Sequence, residues 1–136
     1  MAPFQYLLVY LLSVPVFFAI DMLWLGVIAP SFYRSQLGPL LGPVNWPVVI
    51  VFYLLFLIGL MVFAIVPAIN EQSIRTAFVF GALFGFFTYM TYDLTNLSTI
   101  RNWPALLSLV DIAWGTLLSA AVAGATSWLA EMLILK

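Results

Sequence analysis

"SIRTAFVFGALFGFFTYMTYDLTN", residues 73–96, decides the fold. At about 1.5 Å per helical residue it is long enough to cross a hydrocarbon core of roughly 30 Å. No proline interrupts it, Arg75 stands near its start and Asp93 near its end. Gly81 and Gly85 form a GxxxG pair, the spacing that lets two helix backbones approach closely. The stretch then ends in hydroxyls, an acid and an amide: Thr88, Tyr89, Thr91, Tyr92, Asp93, Thr95 and Asn96. It reads as a membrane helix with a polar end.

The rest of the chain agrees. Its 136 residues are 65% hydrophobic and 7% charged, with a mean hydropathy of +1.18. A soluble domain carries about 25% charged residues, so this composition cannot clothe a water-facing surface. The net charge of −1 offers no basic footprint for nucleic acid. There is no cysteine and no histidine. Thiolate and imidazole metal sites, haem ligation and the commonest general base are therefore excluded, and neither a metal nor a cofactor is expected. Any chemistry runs on carboxylates, hydroxyls, amides and a few arginines.

Three further apolar runs, about 4–29, 46–66 and 103–129, join residues 73–96 to give four spans. Pro30 is read as ending the first and Pro67 the second. The connections are short, so consecutive helices are antiparallel neighbours. The expectation is an all-α fold, an integral membrane four-helix bundle forming one transmembrane domain over 1–136. "NWP" opens the second and fourth spans, at 45–47 and 102–104. Asn suits the helix cap, Pro the first turn and Trp the headgroup layer. That recurrence hints at two related hairpins, although the aspartates do not recur in the same order. Residues 30–45, "PSFYRSQLGPLLGPVN", read either as a short interfacial helix broken at Gly38-Pro39 or as an irregular loop with aromatic anchors. The apolar start has no basic n-region and contains Asp21, which argues against a cleavable signal peptide. Arg75 and Lys136 balance Arg34 and Arg101 across the bilayer, so the positive-inside count is tied and leaves the orientation open.

Asp21, Asp93 and Asp111 are the acids inside the spans. Each costs about 2.5–3.5 kcal/mol at mid-membrane on insertion scales, too much for decoration. The parse puts Asp21 roughly 13 Å from the first connection, Asp111 roughly 10 Å from the third and Asp93 about 5 Å below its helix end. These connections share one side of the bilayer, so the three carboxylates share one half of it. On the fourth span Ser108, Asp111, Gly115, Ser119 and Ala123 make a narrow small-and-polar stripe. Gly81, Gly85, Tyr89, Asp93 and Asn96 make its counterpart on the third, and packing through Gly81, Gly85, Gly115 and Ser119 is expected. Asp21 and Trp24 enter from the first span, while the second supplies wall. The expected polar pocket comprises Asp21, Trp24, Tyr89, Tyr92, Asp93, Asn96, Asp111 and Trp114, with the threonine hydroxyls as donors and Tyr33, Arg34 and Arg101 at its mouth. Trp24 and Trp114, each one turn after an acid, either stack on a ligand or donate an indole N–H.

"DMLWLG" (21–26), "FYRSQLG" (32–38), "TYDLTN" (91–96) and "DIAWG" (111–115), in this order, resemble the bacterial membrane proteins classed as domain of unknown function 2177. The likeness spans essentially the whole chain. It implies a small multi-pass protein of the bacterial inner membrane and brings no catalytic residue with it. Its pattern includes Gly26, Tyr33, Tyr92, Asn96 and Gly115 besides the three Asp-Trp or Asp-Asn motifs.

Three functions compete. One is a small proton- or cation-linked carrier acting as an oligomer, because four helices are few for a complete pathway. Another is an accessory subunit of a larger membrane complex, its aspartates serving as interhelical clamps. The third is an enzyme on lipid headgroups or isoprenoid phosphates, weakened by the lack of a tight acidic repeat and by the scarcity of basic residues. The lipid bilayer is the one partner that composition demands.

Overall fold

The computed structural model describes residues 1–136, the side chain of Ile28 aside. Six α-helices follow in order: α1 Pro3–Leu23, α2 Pro30–Leu37, α3 Trp46–Leu60, α4 Val66–Glu71, α5 Ile74–Thr99 and α6 Ala105–Leu133. Among the described residues there is no strand. Four continuous helical segments are long and apolar enough to cross a membrane: Pro3–Val27, Trp46–Glu71, Ile74–Thr99 and Ala105–Leu133. The protein is an all-α membrane four-helix bundle. Large apolar side chains such as Leu11, Ile50, Leu55, Leu109 and Leu117 face outward from all the parts that would meet lipid.

Pro67 does not end the second span. α3 passes through a π-helical turn, Met61–Ile65, directly into α4, which carries Pro67 in its first turn. A proline lacks the N–H for the i−4 bond, and its ring collides with that carbonyl. Widening the preceding turn, here with Val66 N–H donating to the Met61 carbonyl five residues back, moves the carbonyl aside and lets the helix run on. The same device precedes Pro30. Trp24–Ile28 is π-helical, Ala29 N–H donates to the Trp24 carbonyl at 2.8 Å, and α2 begins at Pro30. Residues 30–37 are thus helical, and Gly38, at φ 48°, ends α2 in a conformation that favours glycine.

The two NWP repeats diverge. Asn45 caps α3 by accepting from Val48 N–H at 3.5 Å. Asn102 instead takes φ 62° in the α5–α6 turn, Pro104 occupies the cap position, and α6 starts at Ala105 rather than Trp103. The Trp103 indole is occupied elsewhere, donating to Ser108 Oγ at 3.0 Å.

α5 and α6 pack along most of their length, and α6 contributes more buried residues than any other helix, with α1 also packed on it. Lipid tails are as apolar as leucine, so close van der Waals fit rather than hydrophobic burial holds membrane helices together. A methyl added at Gly81 would lie 2.7 Å from the Ser119 carbonyl oxygen, and one at Gly85 would strike the Gly115 carbonyl. The packed core, including Val9, Phe17, Leu57, Ile65, Leu118 and Val122, fills the half of the bundle near the start of α1. The other half holds the acids.

Candidate functional site

α5 runs to Thr99, so Asp93 sits six residues from its end, and Asp111 sits six residues into α6. Both therefore lie about 9 Å from the same end of the hairpin. Asp93 is deeper than the shorter helix of the sequence parse put it. Asp21 reaches a similar level from α1. All three are buried within the chain, at 3%, 0% and 9% exposure for Asp21, Asp93 and Asp111. None points into lipid.

One connected group of side chains joins them. Tyr33 of α2 donates its hydroxyl to Asp111 Oδ1 at 2.8 Å and accepts from Trp24 Nε1 at 3.3 Å. Trp24 stacks on Trp114, ring centres 4.7 Å apart and planes 11° from parallel. Trp114 Nε1 in turn donates to Asp21 Oδ1 at 3.4 Å. The other oxygen, Asp21 Oδ2, is buried and has no hydrogen-bond partner, with Tyr53 of α3 nearby. The π-helical turn carries Trp24 into this stack, a local widening often found where a helix serves a site.

Asp93 differs from the other two acids. Its carboxyl lies near the Asp111 carboxyl, yet neither of its oxygens meets a donor. Two carboxylates only accept, so neither can serve the other as a donor while both are ionised. Tyr33, on the interfacial helix, has its phenol pushed well above its ordinary range, first by burial and then by the adjacent Asp111. It stays a neutral donor.

In front of Asp111 and Asp21 lies a cavity of about 490 Å³. Its walls are mostly aromatic: Trp24 and Trp114 on one side, Tyr89 and Tyr92 on another, Phe52, Tyr53 and Phe56 from α3. α3 closes onto the bundle from Tyr53 onward, where the Tyr53 ring packs against Phe17 and the Tyr10 hydroxyl donates to the Leu54 carbonyl at 2.9 Å. Trp46, Val48, Val51 and Phe52 are all more than half exposed, so the first half of this helix stands off and leaves a wedge.

A family model described as "Predicted membrane protein (DUF2177)" matches residues 6–128. The chain belongs to the DUF2177 family. No curated protein and no solved structure matches it. The four motifs of this DUF2177 protein all feed the connected group. Asp21 and Trp24 come from the first, Tyr33 from the second, Asp93 from the third and Asp111 and Trp114 from the fourth.

The structure does not bring every expected residue into the cavity of the DUF2177 protein. Asn96 is half-buried and does not line it. Arg34 and Arg101 are exposed and do not line it. Long cationic chains on the interfacial segments extend toward water. Thr88 and Thr91 turn their hydroxyls onto their own helix, donating to the Phe84 carbonyl at 2.8 Å and the Phe87 carbonyl at 2.6 Å. A threonine in a helix readily bonds back in this way, so these two do not serve the acids. Ser119 stays in the seam, buried and unpartnered. Tyr53 lines the cavity although α3 is expected from sequence only to supply wall. Tyr53 bears the only hydroxyl between Trp46 and Val66, and that isolation was a usable signal. Among the described residues no three acidic side chains converge closely enough to hold a metal.

Proposed function

We propose that this protein is a small carrier of the bacterial inner membrane that exchanges a proton for a cationic solute and works as an oligomer. The observation that supports it is the Asp93–Asp111 pair beside an open cavity, with both Asp93 oxygens lacking a donor. An intramembrane acid left unpartnered is expensive, and such residues mark ion and proton pathways. The groups facing the pair are Asp111 and Asp93 themselves, Tyr33 from α2, Tyr92 from the same helix as Asp93, and Asp21 across the cavity. All are acids or phenols. In this reading a cation entering beside Asp111 displaces a proton from the acid pair, which couples the two.

The test is proton release from purified protein on adding cations, read with a pH dye in weak buffer. Release that disappears in both Asp93→Asn and Asp111→Asn supports exchange. Release that survives both substitutions, or no cation or proton flux in proteoliposomes, defeats it.

The accessory reading has its own support. Trp114 to Asp21 and Tyr33 to Asp111 are bonds between separate elements, as clamps would be. A clamp tolerates Asp→Asn, because an amide still accepts, so the same variants separate the two. An isoprenoid-phosphate enzyme has less to stand on, since no lysine or arginine lines the cavity to receive phosphate.

A further inference from the structure

We infer that the cavity takes an amphiphilic organic cation, a quaternary or protonated amine with an apolar body. Its charge lies between Asp21 and Asp111, and its body lies against the aromatic walls. This rests on the carrier reading for its purpose but on separate observations for its chemistry.

Charge comes first. Two carboxylates line the cavity, a third stands behind Asp111, and no lysine or arginine lines it. An anion would meet only repulsion, and a neutral guest would leave the acids desolvated without compensation.

Shape and lining separate an organic from an inorganic cation. A metal ion needs a close cage of oxygens, whereas among the described residues no acidic trio converges. The cavity of about 490 Å³ is the size of a small organic molecule's site. Apart from the stacked Trp24–Trp114 pair, its rings tilt against one another, Phe56 to Tyr89 at 84° and Phe52 to Tyr53 at 44°. Aromatic faces attract weakly hydrated ammonium groups, and Trp does so best. Finally, the first half of α3 stands off, with Val48 and Phe52 exposed at the rim, so an apolar tail can lie toward lipid while the charged head stays at the acids.

The experiment uses the full chain in lipid nanodiscs with two ions of the same shape and opposite charge, labelled tetraphenylphosphonium and tetraphenylborate. Empty nanodiscs correct for partitioning. The cation is expected to bind saturably and the anion not at all above the empty discs. Asp21→Asn and Trp114→Leu should each weaken the cation by about tenfold, and Trp114→Phe, which restores a ring face, should recover a large part of that loss. Circular dichroism and gel filtration establish that each variant is folded. Equal binding of both ions, no saturable binding of the cation, or competition by sodium or potassium at similar concentrations overturns the inference. Saturable binding without proton release leaves it standing and removes the exchange step. Proton release driven by an inorganic cation, without tetraphenylphosphonium binding, does the reverse.

Discussion

Along the α5–α6 seam, Gly81 and Gly85 bring two backbones so close that one added methyl would collide with the carbonyls of Ser119 and Gly115. Across the bundle, the first half of α3 stands away from its neighbours and leaves an aromatic wedge with acids at its base. The seam spends small residues on contact. The wedge spends large aromatic ones on leaving a gap. In a bilayer, where burial alone does not drive helices together, the seam must hold the hairpin so that the wedge can stay open. Gly115 joins the two regions, since a methyl there would push into the Tyr89 ring, which lines the cavity.

The sharpest way to break that contrast is Gly85→Leu. Its side chain meets backbone that cannot swing aside, so a loss of at least about 3 kcal/mol is expected in detergent unfolding followed by circular dichroism. Phe52→Leu, in the wedge and half exposed, should change the same measurement by no more than about 0.5 kcal/mol. Equal effects would erase the distinction between the two regions.

Within the wedge, Asp111→Leu strands the Tyr33 hydroxyl and should cost about 1–3 kcal/mol. Asp111→Asn, which can still accept, should cost much less. Asp93→Leu goes the other way. It removes a buried acid that no donor serves, so stability should stay the same or rise by up to about 1 kcal/mol. A clear loss on Asp93→Leu would make that residue part of the framework rather than of the open site.

The smallest effect concerns alkali. Tyr33 is a neutral phenol held above its ordinary range, while in the unfolded chain it ionises near about 10. Its contribution is complete below that pH and is lost as the pH rises toward the folded value. Stability at alkaline pH should therefore fall less steeply in Tyr33→Phe than in the native protein, whatever the offset between them at neutral pH. Parallel curves would place Tyr33 in water.

Much of this was legible beforehand, and the misses have specific causes. Four spans, the α5–α6 pairing through Gly81 and Gly85, and one shared level for the acids follow from apolar length, small-residue spacing and residue counting. Pro67 misled because its usual effect on a helix was relieved by a π turn, which leaves no mark in local composition. The helix ends at Thr99 and Ala105 were missed because Asn102, a residue that also suits a cap, adopted a left-handed turn instead. The threonines of "FTYMTYDLTN" look like donors to the acids, yet Thr88 and Thr91 find carbonyls of their own helix nearer.

The sequence by itself determined that the chain lives in a bilayer, how many times it crosses, and that three acids lie inside it. Those are questions of length, hydropathy and periodicity, all of which are local. Tertiary structure alone decided the rest. It decided that Asp93 faces Asp111 without a donor, that Tyr33 and the Trp24–Trp114 stack link Asp111 to Asp21, and that Arg34 and Arg101 stay outside. Those outcomes depend on where separate helices stand and how their rings tilt, and a side chain's partners across a bundle are not encoded in its neighbours along the chain.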